Sequence, residues 1–335
     1  MKVLQIANYK QGTGGISGQV EKIHACLDAE GIESAIFSVK GSAWYRIKAF
    51  FRLIAKGCSY DVFHVHTCSH GGFISAVMGI SVGRLLRRRV VLTYHGGSAD
   101  YYIGKHQRMV RFFLKRTDVN IVLSGFVAKA FDKYGIPYQI IPNIIELDGS
   151  RFHERETINP NFISIRTLSP LYNIGCIIRA FQIIKSRFPQ ASLTIVGGGP
   201  SREALEKMVN DLQLKDVRFT GRVDNTQIYE YLNDADVMLS SPVVDNMPVS
   251  VLEGMNAGLL VISSKVGGIP YMIDDGVNGL LFPSKNHEKL AEKMIMAVEN
   301  QEKSKAMIRE ANQGLGMYSW ESVKQKLLPV YAGNK

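Results

Sequence analysis

The sequence predicts an α/β protein of two Rossmann-like parallel-sheet domains facing each other across a cleft. Three observations carry this. Short apolar runs of β type alternate with helically periodic segments along the whole chain, the pattern of parallel sheets covered on both faces. A polar stretch without periodicity, ELDGSRFHERETINP at 146–160, separates two such series. A length of 335 residues, with 46% hydrophobic and 21% charged residues, suffices for two cores and excludes disordered, collagen-like and coiled-coil chains.

In the first series the expected strands are KVLQIAN, ESAIFSV, DVFHVH, VVLTYH, VNIVLS and YQIIPN. After the first of them, Val20, Ile23, His24 and Leu27 fall at helical spacing, and Gly31 closes that helix as its C-terminal cap. Ser124 in VLSGF reads as the N-cap of the next helix, since the G-x-S-x-G nucleophile elbow is absent. The second series repeats the style with FISIR, SLTIVG, VRFTG, VMLSS and LVISS. The expected boundaries are 1–145 for the first domain and 146–318 for the second.

The net charge of +10 is unevenly spread. Residues 1–145 carry 19 Lys and Arg against 8 Asp and Glu, whereas the rest carry 21 against 22. An excess confined to one half points to an anionic partner for that half: lipid, nucleic acid or a phosphorylated substrate. Four cysteines (26, 58, 68 and 176) without a C-x-x-C pair do not form a disulfide framework. The opening MKVLQIANYKQG breaks its apolar run after Ala7, too soon for a signal-peptide core, and no spanning helix is legible. The expected location is the cytoplasm, at most peripheral on the inner face of a membrane.

The first turn, KQGTGGISGQV, follows a strand and opens a helix, where a phosphate is favourably placed. It is not a dinucleotide fingerprint, because Ser17 stands where the third glycine is needed and no acidic residue ends the second strand. Nor is it a P-loop. His64, His66, Cys68 and His70 alternate in DVFHVHTCSH, as residues sharing one strand face do, but no second cluster completes a zinc tetrahedron. His95, in TYHGG at a strand's C-terminal end, is better placed, since such ends line the ligand crevice of α/β sheets. A structural histidine is the competing reading.

The second half holds the strongest constellation, SSPVVDNMPVSVLEGMNAGLLVISSKVGGIPYMIDDGVNGLLF, with Asp245 and Glu253 eight apart. The loop DNMP leads into a helix expected near Pro248, whose first amides at Val249 and Ser250 suit a phosphate. Glu253, over a turn further on, suits ribose hydroxyls, because a carboxylate accepts two strong hydrogen bonds. A helix merely capped by Asp245 or Asn246 would show the same residues.

With these motifs in order the chain resembles the retaining glycosyltransferases of family 4, of GT-B fold, over essentially its whole length. Gly14-Gly15, HVH, TYHGG, Pro142-Asn143, IVGGGP, VRFTGRV, the spaced carboxylates, GGIP and DGVNGLLF follow one another as in that family. The closing YSWESVKQKLLPVY looks like the family's terminal helix (319–335), which crosses back to the first domain. The resemblance implies Glu253 on the nucleotide ribose, His95 and Asp245 on the donor sugar and Arg166 on the diphosphate. Gly14 and Gly15 match the turn near that diphosphate, and Gly198, Val223 and Met247 match the nucleotide pocket. It also implies a nucleotide-sugar donor, a lipid-linked or saccharide acceptor, front-face substitution with retention, and neither metal nor cofactor.

The chain departs from the family pattern in four places. Asp245 replaces the first Glu, the loop is DNMPVS, Tyr271 follows GGIP where an acidic residue is frequent, and Tyr172 or Asn173 stands where Lys is usual beside Arg166. A lost Lys keeps a second class of function open, a non-catalytic GT-B pseudoenzyme that binds a nucleotide sugar or a partner transferase. An NAD-dependent oxidoreductase fails on the first turn, and no nucleic-acid recognition motif accompanies the charge. Oligomeric state is not legible. Segment AWYRIKAFFRLIAKG (43–57) aligns Lys48, Arg52 and Lys56 in one stripe beside Trp44, Ile47, Phe50, Phe51 and Ile54. Such a helix can lie on anionic lipid; packing of its apolar face on the first sheet is the alternative.

Overall fold

A computed structural model describes residues 1–12, 14–147, 149–224 and 227–333. The chain divides into two compact units, Met1–Glu146 with Met317–Lys335, and Leu147–Gly316.

In the first unit the strands are β1 (Lys2–Ala7), β2 (Glu33–Ser38), β3 (Val62–Thr67), β4 (Arg89–Tyr94), β5 (Val119–Val122) and β6 (Gln139–Ile140). They form one parallel sheet in the order β2-β1-β3-β4-β5-β6. The helices between them are α1 (Ile16–Ala29), α2 (Ala43–Gly57), α3 (Ile74–Leu85), α4 (Ala99–Lys105), α5 (Gln107–Leu114) and α6 (Gly125–Lys133). Strand alternation sorts the two faces. Leu4 and Ile6, Phe63 and Val65, and Val90 and Leu92 pack with Ala49 and Leu53 of α2, α3 residues, and Val110 and Leu114 of α5. Val3, Val62, Val91 and Ile121 face the opposite layer with Ile23 and Leu27 of α1. Gln19 fastens α1 to the segment after β6: its amide nitrogen donates to the Ile144 carbonyl and its oxygen accepts the Ile144 N–H, both at 2.9 Å.

The second unit has β7 (Asn161–Ile165), β8 (Ser192–Val196), β9 (Val217–Gly221), β10 (Val237–Ser240), β11 (Leu260–Ser264) and β12 (Leu280–Phe282). Its helices are α7 (Ile174–Arg187), α8 (Arg202–Asp211), α9 (Ile228–Asn233), α10 (Val249–Asn256), α11 (His287–Glu299) and α12 (Gln301–Gly314). The parallel order is β12-β11-β10-β7-β8-β9. Its core joins Phe162, Leu193, Ile195, Val237, Leu239 and Ile262 of the strands to Ile177, Phe181 and Ile184 of α7 and Leu290 and Met294 of α11.

The last helix, α13 (Trp320–Ala332), belongs to the first unit. Ser319 caps it by accepting the Ser322 N–H at 3.2 Å, and Val323, Leu327, Val330 and Tyr331 bury against the α1 face of the sheet. Glu30 at the end of α1 accepts from Trp320 Nε1 (3.0 Å) and Lys324 Nζ (2.7 Å).

Candidate functional site

In a doubly wound sheet, ligands bind beyond the C-terminal strand ends where the strand order reverses. In the second unit that point lies between β7 and β10, and the loops leaving those strands carry Arg166 and Asp245. Arg166 Nη2 is 2.9 Å from Asp245 Oδ2, with the two side chains only 10% and 18% exposed. Asp245 Oδ1 accepts the Asn246 N–H at 2.8 Å. Neither Arg166 Nε nor Asp245 Oδ2, both shielded from solvent, has a directed hydrogen-bond partner.

Of the two residues that sequence left as alternatives, it is Tyr172 whose ring meets the arginine: its centroid is 5.0 Å from the guanidinium carbon. The Ser241 hydroxyl holds this loop in place through the carbonyls of Tyr172 and Asn173, at 3.0 and 2.9 Å, and Val243 N–H donates to the Leu171 carbonyl at 2.9 Å. Burial pushes the Tyr172 phenol pKa up, and nearby Arg166 opposes the shift.

The loop DNMP enters α10 with Pro248 at the N-cap, one position before the helix begins. Proline suits that place because it has no N–H to leave unsatisfied. Val251, Leu252 and Met255 turn into the core. Val249 and Ser250 lie on the side of Glu253, at i, i+4 and i, i+3, and all three are half-buried. Val251 N–H donates to the Pro248 carbonyl at 3.1 Å, the Val249 and Ser250 amides have no acceptor within the helix, and Ser250 Oγ is enclosed without a partner. Met247 is buried at 8% exposure. The 266–268 turn clasps the Asp245 backbone, with Gly268 N–H donating to the Asp245 carbonyl at 3.0 Å. On the other side of β7, the 197–199 turn rests on the loop after β7, and Leu168 N–H donates to the Gly198 carbonyl at 3.0 Å. Gly197 N–H reaches the Gly221 carbonyl at 2.9 Å, which brings Gly198 beside Arg222, the residue before half-buried Val223.

The reversal in the first unit lies between β1 and β3. Gly15 stands at the N-cap of α1, with φ 66°, and Gly14 precedes it in an exposed turn. Glu21 shapes that turn by accepting from Gly12 N–H (3.2 Å) and the Tyr9 hydroxyl (2.8 Å). On the α13 face of the sheet, strand alternation places Gln5, His64, His66 and Thr93 together. His66 Nε2 is 3.1 Å from Gln5 Oε1, and its Nδ1 is 3.1 Å from His95 Nε2. His64 Nε2 is 2.8 Å from Thr93 Oγ1, and the Tyr331 hydroxyl is 2.7 Å from His64 Nδ1. With Gln5 Oε1 accepting from His66 Nε2–H, His66 Nδ1 must accept from His95 Nε2–H, which makes Nδ1 the acceptor nitrogen of neutral His95.

Burial keeps all three rings uncharged. It lowers His64 and His95 to about 3 and His66 well below its ordinary value. The shared strand face expected for His64, His66, Cys68 and His70 holds only for the first two. β3 ends at Thr67; Cys68 is half-buried beyond it, and exposed His70 begins a 3₁₀ turn with φ 57°. No group of three His, Cys, Asp or Glu side chains placed to hold a metal ion occurs among the described residues. Sequence reasoning missed Gln5 and Ser241. Gln5 was visible as the one polar residue inside the apolar run KVLQIA, whereas Ser241 gave no signal.

In α2, Ala49 and Leu53 are buried, and Phe50 and Ile54 pack half-buried against the core. Trp44, Ile47 and Phe51 remain 75%, 52% and 66% exposed, beside the exposed row Lys48, Arg52 and Lys56. The apolar residues expected on one face are thus divided between the core and the surface. No helix among the described residues is long and apolar enough to cross a membrane.

Two family models cover most of the chain: glycosyl transferases group 1 over residues 150–314 and glycosyltransferase family 4 over residues 30–148. The sulfoquinovosyl transferase SQD2 of Arabidopsis thaliana is 23% identical over 304 residues, 82% of this chain and 58% of its own length. The amylovoran biosynthesis glycosyltransferase AmsK of Erwinia amylovora is 25% identical over 246 residues, 69% of this chain and 60% of its own. The chain thus spans about three fifths of the length of these curated relatives. The crystal structure of Anabaena Alr3699/HepE in complex with UDP-glucose superposes with a TM-score of 0.82 at 17% identity, covering 99% of this chain and 100% of that one. The chain belongs to the glycosyltransferases of the group 1 and family 4 type, with two parallel six-stranded sheets as in GT-B structures.

Proposed function

We propose that the protein moves a sugar from a nucleotide-sugar donor to a lipid-linked or saccharide acceptor, with retention at the anomeric carbon. The observation that carries this reading is the convergence of Arg166, Asp245 and the N-terminal turn of α10 at the β7/β10 reversal. In this reading Arg166 and the Val249 and Ser250 amides meet the donor diphosphate, and Glu253 meets the ribose. Gly198, Val223 and Met247 line the base side. Asp245, and in the first unit His95, are each taken as acceptors for hydroxyls of the donor sugar, and the side-chain-free Gly14-Gly15 turn as one that a phosphate can approach closely. HepE's binding of UDP-glucose and AmsK's part in amylovoran biosynthesis support a donor and a saccharide product of these classes.

The bond from the anomeric carbon to the diphosphate oxygen breaks, the acceptor oxygen bonds to that carbon from the same face, and the acceptor proton leaves on the departing diphosphate. Positioning and charge stabilisation by Arg166 and helix amides supply the catalysis, so the reading calls for neither a metal ion nor a cofactor. A thermal-shift screen against UDP, GDP, ADP and their sugars tests donor binding, because a ligand of the native state raises the midpoint. Turnover of the stabilising sugar nucleotide separates a transferase from a binding-only pseudoenzyme. An inverted product, seen by NMR, would reject retention.

The exposed Trp44, Ile47 and Phe51 beside Lys48, Arg52 and Lys56 support a peripheral place on the cytoplasmic face of an anionic membrane, where a lipid-linked acceptor would be met. Nucleic acid is not a partner in this reading.

A further inference from the structure

The group formed by Arg166, Asp245 and Tyr172 departs from a simple anion site, because its cation already faces a carboxylate. Asp245 Oδ2 lies 2.9 Å from Arg166 Nη2 in a setting where the two side chains are 10% and 18% exposed, so solvent and salt screen the pair only weakly. Arg166 Nε has no hydrogen-bond partner, and Asp245 Oδ2, held in the ion pair without a well-aligned hydrogen bond, can still accept one. One is a charged donor and the other a charged acceptor. Tyr172 offers the arginine a ring face rather than a second positive charge.

We propose that Asp245 is an internal counter-ion that makes this site favour an intact nucleotide sugar over the bare nucleoside diphosphate, an inference that rests on the donor-binding reading above. A diphosphate must share Arg166 with Asp245. Bare nucleoside diphosphate takes the guanidinium and leaves the carboxylate facing a second anion, with like charges close together. An intact donor brings hydroxyls as well, so Oδ2 accepts from the sugar while Nε–H donates to a phosphate oxygen. Both charged atoms are then satisfied together. The reaction destroys that arrangement: once the sugar leaves on the acceptor, the diphosphate product again opposes Asp245 and is released. Tyr172 sharpens the effect, since a cation there would offset the carboxylate.

The test compares the affinities of UDP with UDP-glucose, GDP with GDP-mannose and ADP with ADP-glucose for the wild type, Asp245→Asn, Tyr172→Lys and Tyr172→Phe. Calorimetry at low and high salt supplies the readout. Asp245→Asn is expected to bind the bare diphosphate about fivefold tighter or more, the scale of one weak ion pair, and the sugar nucleotide no tighter. Tyr172→Lys is expected to tighten the bare diphosphate as well, with a steeper loss at high salt, and Tyr172→Phe to keep the wild-type preference. Damage to the fold lowers both affinities, so a gain for one ligand alone cannot come from it. Equal weakening of both ligands in Asp245→Asn, or an unchanged affinity for the bare diphosphate, overturns the counter-ion while leaving the donor-binding reading intact. A wild type that binds none of the six overturns both.

Discussion

The hydroxyl of Tyr331 in α13 lies 2.7 Å from Nδ1 of His64 in β3, and each residue is 1% exposed. The last helix of the chain therefore completes the hydrogen bonding of a histidine in the middle of the first sheet. Tyr331→Phe keeps the ring but leaves a buried nitrogen short of a partner. The expected loss is about 1–3 kcal/mol, the usual cost of an unsatisfied buried polar group. Urea denaturation reads it as a lower midpoint at unchanged slope; an unmoved midpoint would show that the contact contributes nothing.

The same histidines make stability fall in acid. Their folded pKa values are depressed, so the folded protein holds them neutral while the unfolded chain takes up protons below the ordinary value of 6.5. Stability is complete above that pH and is lost as pH falls toward the folded value of His64, about 3. Each buried histidine contributes at most about 1.4 kcal/mol per pH unit in that window. Denaturation at pH 7 and pH 5 is expected to show this slope, and His66→Gln to reduce it. Equal stability at the two pH values in the wild type would mean that the rings protonate without unfolding.

Glu253→Ala is expected to weaken nucleotide binding by about 1.5–3 kcal/mol, the range for a hydrogen bond to a charged group. Val251, Leu252 and Met255 carry the packing of α10, so the variant should remain folded. Circular dichroism checks that, and calorimetry with the nucleotide found by the thermal-shift screen reads the loss. An unchanged affinity in the folded variant would place the ribose elsewhere.

Gly267 adopts φ +55°, and a Cβ there would lie 1.8 Å from the carbonyl oxygen of Asp245. Gly267→Ala must therefore push the 266–268 turn away from the loop that carries Asp245, and the backbone strain adds to the clash. The expected outcome is a lower thermal midpoint together with weaker nucleotide binding. Wild-type values for both would show that the two loops move apart at no cost.

Replacing Lys48, Arg52 and Lys56 with Gln is expected to weaken cosedimentation with anionic vesicles and to leave nucleotide affinity unchanged. Each cation near such a surface contributes on the order of 1 kcal/mol, falling away within about 8 Å at physiological salt. All three side chains are exposed and carry no part of the core. If the wild type stays in the supernatant with anionic vesicles at low salt, the stripe is only a solvated surface, and a soluble saccharide becomes the better acceptor.

Strands and their places along the chain were legible wherever apolar β-branched runs were long enough to stand out, as in KVLQIA, FISI and LVISS, because a buried parallel strand needs apolar side chains on both faces. β12 lies inside DGVNGLLF and does not stand out as a strand, since three residues are too few for a period to show. Of the second unit's candidate residues, Asp245, Val249, Ser250 and Glu253 stood out by local rules, a loop after a strand, a proline before a helix, an acid over a turn later, whereas Arg166, Gly198 and Val223 were marked only by the family resemblance. What no local rule contains is the meeting of Arg166 with Asp245 and of His64 with Tyr331. Those pairs depend on which strands become neighbours and on a last helix that returns to the first sheet. The same holds for α2, where periodicity marked Trp44 and Phe50 alike as apolar. Packing against the sheet covered Phe50 and left Trp44 in solvent, because one flat layer can bury only part of a helix's circumference.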